Sequence, residues 1–344
     1  MSIKPGALRF NTDSMKLEIF RGSANYEGTA SMAGIGTLAA GQWEEIVATS
    51  PEAQTGGTRG VTGGGHPATN VMDFITVDTT GNATDFGDLT QGRFYPAGLS
   101  SRTRGLIGGG ATPTIVDTID YVTISSTGNA QDFGNLTQSR RDLAAAASAT
   151  RGLFMCGGTP SFVNTIDYVT IASTGNAVDF GDNNDVMNAP GGSASQTRAV
   201  IMGGVSPGAV NQISFLTIST LGNAADFGDL SVARSNTNGC GNSIRTVCFG
   251  GNTSPAISDV IDYITIATLG DAQDFGNLET ANQQVGTAAS PTRGVCLGGY
   301  RSPGADTNII QYIQFMNLGN TVDFGDLTGA RREFGAFSNG HGGL

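Results

Sequence analysis

Residues 151–182 read RGLFMCGGTPSFVNTIDYVTIASTGNAVDFGD, and this pattern returns six times along the chain. Its Asp-Phe-Gly marker falls at Asp85, Asp132, Asp179, Asp226, Asp274 and Asp323, at spacings of 47, 47, 47, 48 and 49 residues. An arginine, usually in Thr-Arg-Gly, falls at Arg59, Arg104, Arg151, Arg198, Arg245 and Arg293, at spacings of 45, 47, 47, 47 and 48. Two independent columns keep one period, so the chain is first of all an array of similar units.

Each unit predicts four strands and no helix. Leu153 to Cys156 is a short apolar run closed by Gly157 and Gly158, which suits a buried strand ending where the backbone needs special geometry. Ile166 to Ile171, rich in β-branched and aromatic residues, is the strongest strand signal. Ser173-Thr174-Gly175-Asn176 is a hairpin turn, and Val178-Asp179-Phe180 begins the return strand. The fourth strand is made of small residues: Leu143 to Ala149 in one unit, Gly191 to Ser195 in the next. Small side chains fit a strand crowded near a central axis.

A period in the forties with four strands per unit predicts a β-propeller rather than an open solenoid, whose ends need polar capping repeats. The chain offers no such caps. Instead Arg331-Arg332-Glu333-Phe334-Gly335-Ala336-Phe337 matches Arg140-Arg141-Asp142-Leu143 and leaves a final strand without a following partner. That strand is expected to complete the first unit and close the ring.

On the double glycine after an apolar strand, the Tyr-bearing strand and the arginine column, the chain resembles kelch-type propeller repeats over roughly residues 53 to 340. It departs from them in having one tryptophan, Trp43, outside the repeats; the Phe of Asp-Phe-Gly takes that place. The resemblance implies an all-β fold: a six-bladed kelch-like β-propeller over 53–344, closed by its C-terminal strand, after a small N-terminal β-hairpin module over 1–52.

That first stretch does not share the period. Ala7 to Asn11 and Met15 to Phe20, joined by Thr12-Asp13-Ser14, form a hairpin pattern, with Met15, Leu17 and Ile19 alternating to one face. A lone hairpin is marginal in water and needs a partner surface. GALRFNTDSMKLEIF, followed by GQWEEI around Trp43, is similar to a short module of tailed-phage fibre proteins, and STGNAxDFGDL repeats resemble virion proteins of marine phages and cyanophages. The resemblance implies a non-enzymatic virion component assembled in the host cytoplasm. Its expected attachment residues are Leu8, Phe10, Met15, Leu17, Ile19 and Trp43. Other virion proteins are its partners, with a host-surface glycan or protein as a further one, and fibre hairpins of this kind imply a homotrimer. A tail-associated fibre or appendage is the first reading, a capsid-surface decoration protein the second, and a glycan-binding or glycan-active propeller the alternative of another class.

Composition excludes other roles. With 18 Lys and Arg against 29 Asp and Glu, a net charge of -11 and no basic tract, nucleic acid is not an expected partner. No apolar run approaches the roughly 18 residues of a membrane helix, and MSIKPGALRF lacks a signal core, so no membrane contact is expected. Two histidines, His66 and His341, leave metal or imidazole chemistry little to work with. Copper oxidases of the propeller type need a His, Tyr and Cys ligand set that is not visible here. Asp-Phe-Gly without a kinase's Gly-rich loop and strand lysine is a scaffold device. No enzyme activity and no cofactor are therefore expected. Cys156, Cys240, Cys248 and Cys296 read as reduced, buried residues, Cys240 and Cys248 being near enough in sequence to suspect a bridge.

The six arginines need partners if buried. The second-strand column Asp73, Asp120, Asp167, Ser214, Asp262, Gln311 lapses twice, whereas the Asp-Phe-Gly column never does, so each arginine is expected to pair with an Asp-Phe-Gly carboxylate. The loops after the double glycine vary most between units. Their residues His66, Pro113, Phe162, Pro207, Pro255 and Arg301 are the candidates for a ligand-reading face, with plain solvent turns as the alternative.

Overall fold

The computed structural model describes residues 8–11, 16–21, 42–45 and 58–344. It divides into two compact units, Met1–Ala53 and Gln54–Leu344. The described residues are all-β, without helix.

The first unit contains a three-stranded antiparallel sheet of β1 (Leu8–Asn11), β2 (Lys16–Arg21) and β3 (Gln42–Glu45). Leu8 stands opposite Ile19 and Phe10 opposite Leu17, the pairing that period-2 alternation dictates. The third strand was not legible, because its four residues are too few to show a period. Trp43 pairs with Phe20, so it belongs to the alternate register set and not to that of Leu17 and Ile19. Met15 lies outside the described residues.

The second unit contains six four-stranded antiparallel sheets among its described residues. Each runs a–b–c–d in space. Sheet I is Gly335–Ser338, Arg59–Gly63, Thr69–Thr76 and Thr84–Arg93; sheet II is Ala97–Ser100, Arg104–Gly108, Thr118–Thr123 and Gln131–Asn135. Sheet III begins at Ala144–Ala147, sheet IV at Gly191–Ala194, sheet V at Asn238–Gly241 and sheet VI at Gly286–Ala289. Strand a of sheet I comes from the far end of the chain, with Gly335 opposite Gly63 and Ser338 opposite Gly60. The a strands touch in the order II, III, IV, V, VI, I, and strand a of sheet I touches that of sheet II in turn. Their small residues permit this approach: a Cβ at Gly98 would stand 2.6 Å from the Ala336 carbonyl oxygen.

The buried apolar side chains of its described residues form six clusters, and each cluster joins two neighbouring sheets. The II–III cluster sets Leu106, Ile119 and Phe133 against Phe154, Val169 and Ile171; the VI–I cluster sets Val295, Leu297 and Phe324 against Ile75 and Val77. The c strands read as apolar on both faces because both are covered by neighbours.

Asp-Phe-Gly is a β-bulge in every d strand. In sheet II, Ile119 pairs with Gly134 and Asp120 with Asp132, leaving Phe133 as the extra residue. The bulge turns Phe86, Phe133, Phe180, Phe227, Phe275 and Phe324 into the seams, where each is 1–3% exposed. The glycine that follows has φ of 140–147° in all six copies and lies against the turn glycine of the next sheet. A Cβ on Gly87 would stand 2.5 Å from the Gly128 backbone. Two hydrogen bonds lock this contact: Gly128 N–H donates to Phe86 O at 2.7 Å and Ala130 N–H to Asp88 O at 2.8 Å. The same pair of bonds links sheet VI to sheet I, from Gly81 to Phe324 at 2.8 Å and from Ala83 to Asp326 at 2.7 Å. The repeated Thr-Gly-Asn-Ala and Asp-Phe-Gly-Asp motifs are thus two halves of one inter-sheet joint.

Candidate functional site

The expected pairing of the arginine column with the Asp-Phe-Gly column does not form. All six carboxylates, on Asp85, Asp132, Asp179, Asp226, Asp274 and Asp323, are exposed, and none makes an ion pair with a repeat arginine. Strand alternation explains this, because a bulge that buries the Phe leaves the preceding Asp facing solvent. Each arginine instead lies over the aromatic ring of strand c in its own sheet. Arg59 covers Phe74, Arg104 Tyr121, Arg151 Tyr168, Arg198 Phe215, Arg245 Tyr263 and Arg293 Tyr312, at 4.5–4.8 Å from the ring centre. That ring meets the bulge Phe edge to face at 5.9–6.1 Å. The guanidinium then donates to a carbonyl of the next sheet, Arg104 to Ile171 O at 3.0 Å and, from the last sheet to the first, Arg293 to Val77 O at 3.3 Å.

The second-strand aspartates are the paired ones. Asp120 meets Arg93 at 3.1 Å, Asp167 meets Arg140 at 2.6 Å, Asp262 meets Arg234 at 2.9 Å and Asp73 meets Arg331 at 2.6 Å. Every pair crosses a seam and is buried. Burial pulls the guanidiniums of Arg93, Arg140 and Arg331 below the ordinary arginine value, and the facing carboxylate holds them up. A hydroxyl completes the joint: Thr137 Oγ1 donates to Asp167 at 2.7 Å and Ser231 Oγ to Asp262 at 2.7 Å. Sequence reading missed this second arginine column although the signal was present. Where Asp becomes Ser214 the partner position holds Met187, and where it becomes Gln311 the partner position holds Asn282. The two columns lapse together.

In an antiparallel a–b–c–d sheet the b–c loop and the exit from strand d share one end. The six candidate loops therefore stand at that end. Pro113, Phe162, Pro207 and Pro255 are exposed. His66 is half exposed, its ring Nδ1 3.9 Å from Asp306, and its backbone N–H donates to Arg332 O at 2.8 Å. Arg301 is more buried, its Nη2 3.8 Å from Glu279.

At the same end, six residues in corresponding positions of the units all adopt the left-handed conformation: Tyr95, Asp142, Ala189, Asn236, Gln284 and Glu333, with φ of 52–60°. Their backbones form a closed circuit. Asp142 N–H donates to Tyr95 O at 3.1 Å, Ala189 to Asp142 O at 3.0 Å, and Asn236 to Ala189 O at 2.9 Å. Gln284 donates to Asn236 O at 2.9 Å, Glu333 to Gln284 O at 3.1 Å, and Tyr95 to Glu333 O at 2.7 Å. The circuit rims a cavity of about 130 Å³ that runs between the six a strands. At the opposite end His341 lines it. The His341 Nε2–H donates to Ser100 O at 2.8 Å and Nδ1 accepts from Gly343 N–H at 3.1 Å, which defines a neutral ring. Burial pulls its pKa down to about 4, so it stays neutral.

The rim carries the perturbed acids. Burial, aided by the charge of Glu333, pushes the Asp142 carboxyl up to about 7, against the pull of Arg141. Burial raises the Tyr95 phenol, as do its hydrogen bond towards the Glu333 carboxylate and that group's charge. Glu333 Oε1 accepts from Arg332 Nε at 2.8 Å, and its Oε2 is buried without a hydrogen-bond partner. Arg332 is held between Glu333 and Asp306, 2.6 Å from the latter, and lies over the Tyr300 ring at 4.8 Å. Among the described residues no group of three or more His, Cys, Asp or Glu side chains is placed to hold a metal ion. The four cysteines are free and buried, and burial raises every thiol, Cys156 and Cys296 to about 12.

Comparison of the chain with protein-family models and with curated proteins finds no match.

Proposed function

We propose that the six sheets are the blades of a closed six-bladed, kelch-like β-propeller, and that the chain is a non-enzymatic structural protein of a tailed-phage virion. In this reading the first unit attaches the protein to the particle, and the propeller serves as an interaction platform of a tail fibre or appendage facing the host surface. The same glycine joint and bulge Phe at every seam, between consecutive sheets and between the last and the first, support the closed arrangement. The observation that carries the platform is the contrast between the two ends of the sheets: the joints, arginines and bulges at the a–b and c–d turns repeat from unit to unit, while the b–c loops at the other end, which present Pro113, Phe162, Pro207 and Pro255, differ in length and residue type. A frame kept constant under varied exposed loops is how repeat arrays read partners. The virion assignment rests on the likeness of GALRFNTDSMKLEIF and the STGNAxDFGDL repeats to phage proteins.

Deleting residues 1–50 tests this reading. The truncated protein should remain folded and fail to enter particles, while the full chain co-purifies with virions and labels their tails under electron microscopy. Incorporation of the truncated protein, or labelling of the capsid shell, would overturn the attachment role or the tail placement respectively.

A further inference from the structure

We propose that the rim formed by Tyr95, Asp142, Asn236, Gln284 and Glu333 is a binding site for a primary ammonium group. The cavity below it, about 130 Å³, is far larger than the ~15 Å³ one water needs, so a ligand of several heavy atoms fits. What the rim offers is acceptors. Glu333 is 6% exposed and lines the cavity, yet Oε2 has no partner. A buried carboxylate oxygen without a donor costs free energy, and a donor-rich cation removes the deficit. Asp142, on the same circuit, takes a hydrogen bond from Asn188 and has the Arg141 Nε at 3.7 Å, outside hydrogen-bond range, so its charge is without a directly bonded cation.

The charge balance points the same way. Three carboxylates, Asp142, Asp306 and Glu333, stand with two guanidiniums, Arg141 and Arg332, leaving one negative charge when His66 is uncharged. A monocation neutralises it. The Tyr95 ring lines the cavity and already has one cation over it, the Arg141 guanidinium at 5.5 Å. A compact –NH₃⁺ has three donors for the acceptors set around the rim, whereas a quaternary ammonium has none. The groups facing Asp142 are Arg141, Glu333, Tyr95 and Asn188, and those behind Glu333 are Arg332, Asp306 and His66. Burial holds the Asp142 carboxyl at about 7, so it takes a proton as the pH falls through neutrality and the site then loses a negative charge.

The full-length protein titrated with n-butylammonium at pH 8, followed by calorimetry and by amide chemical shifts of the rim, should show saturable binding. Glu333→Gln and Asp142→Asn should each weaken it about tenfold, the scale of one charge-assisted hydrogen bond. Lowering the pH from 8 to 6 should weaken it as well. n-Butanol and tetramethylammonium should not bind. Spermidine and Nα-acetyl-lysine methylamide separate the two sources of such a group: tighter binding of the first indicates a free polyamine, and of the second a lysine side chain of a partner. Because Asp142→Asn relieves buried charge it is expected to fold at least as stably as the parent, which keeps the test valid if Glu333→Gln is unstable. No binding at ~50 mM butylammonium, equal binding of n-butanol, or unchanged affinity in a folded Asp142→Asn protein would overturn the proposal.

Discussion

The II–III seam and the III–IV seam occupy corresponding places between neighbouring sheets and solve the same problem with different chemistry. The first buries Arg140 against Asp167, with Thr137 donating to the carboxylate. The second puts Met187, 1% exposed, and Ser214, 1% exposed, at those positions. Both seams keep the Phe bulge, the arginine over the strand-c ring beside it and the glycine joint, with Gly175 donating to Phe133 O at 2.8 Å and Gly222 to Phe180 O at 3.0 Å. The register is therefore held by backbone joints and aromatic packing, and the buried ion pair is an interchangeable filling.

The largest expected effect breaks one half of that filling. Asp167→Ala leaves the Arg140 guanidinium buried and unpaired and should lower unfolding free energy by about 3–5 kcal/mol in urea denaturation. Copying the other seam with Arg140→Met and Asp167→Ser together should bring stability back to within about 1.5 kcal/mol of the parent. A double variant as unstable as the single one would show that the seams are not equivalent. Phe133→Ala removes the bulge anchor of the II–III seam and Phe180→Ala that of the III–IV seam, and each should cost about 3–4 kcal/mol.

The rim sharpens the comparison through pH. The Asp142 carboxyl titrates near 7 in the folded protein against 3.8 ordinarily, so the folded state binds the proton more tightly. Its ionised form weakens the fold above about pH 7, and the penalty fades as pH falls from 7 towards 4. Asp142→Asn should raise stability by about 1–3 kcal/mol at pH 8 and have little effect at pH 4, read from paired denaturation curves. Asparagine also tolerates the left-handed backbone there. The smallest effect is expected for Asp132→Ala, whose exposed carboxylate should change stability by no more than about 0.5 kcal/mol.

That last pair of expectations, Asp167 critical and Asp132 neutral, reverses what residue columns suggest. The strands, the hairpin turns and the returning C-terminal strand were legible because hydrophobic period and turn chemistry are local. The ion pairs were not, because their two halves come from different sheets and the arginine half is masked by Met187 and Asn282. The rim was invisible for another reason. Tyr95, Asp142, Ala189, Asn236, Gln284 and Glu333 share a backbone conformation and a hydrogen-bond circuit but no side-chain chemistry, so comparing residue types cannot align them. Among the loop candidates, His66 stands 3.9 Å from Asp306 and Arg301 3.8 Å from Glu279, which leaves Pro113, Phe162, Pro207 and Pro255 as the open surface.

Closure of the ring by the final strand is tested most directly by cross-linking. Ala336 stands opposite Thr62, so a Thr62→Cys/Ala336→Cys protein, oxidised in the folded state and digested, should yield a disulfide-linked peptide spanning those positions. The native thiols are buried and unreactive, and a control pair of Thr62→Cys with Ala194→Cys, on strand a of sheet IV, should not link. Linkage of the control as readily as the test pair, or free thiols at both 62 and 336 in the folded protein, would contradict the closed arrangement.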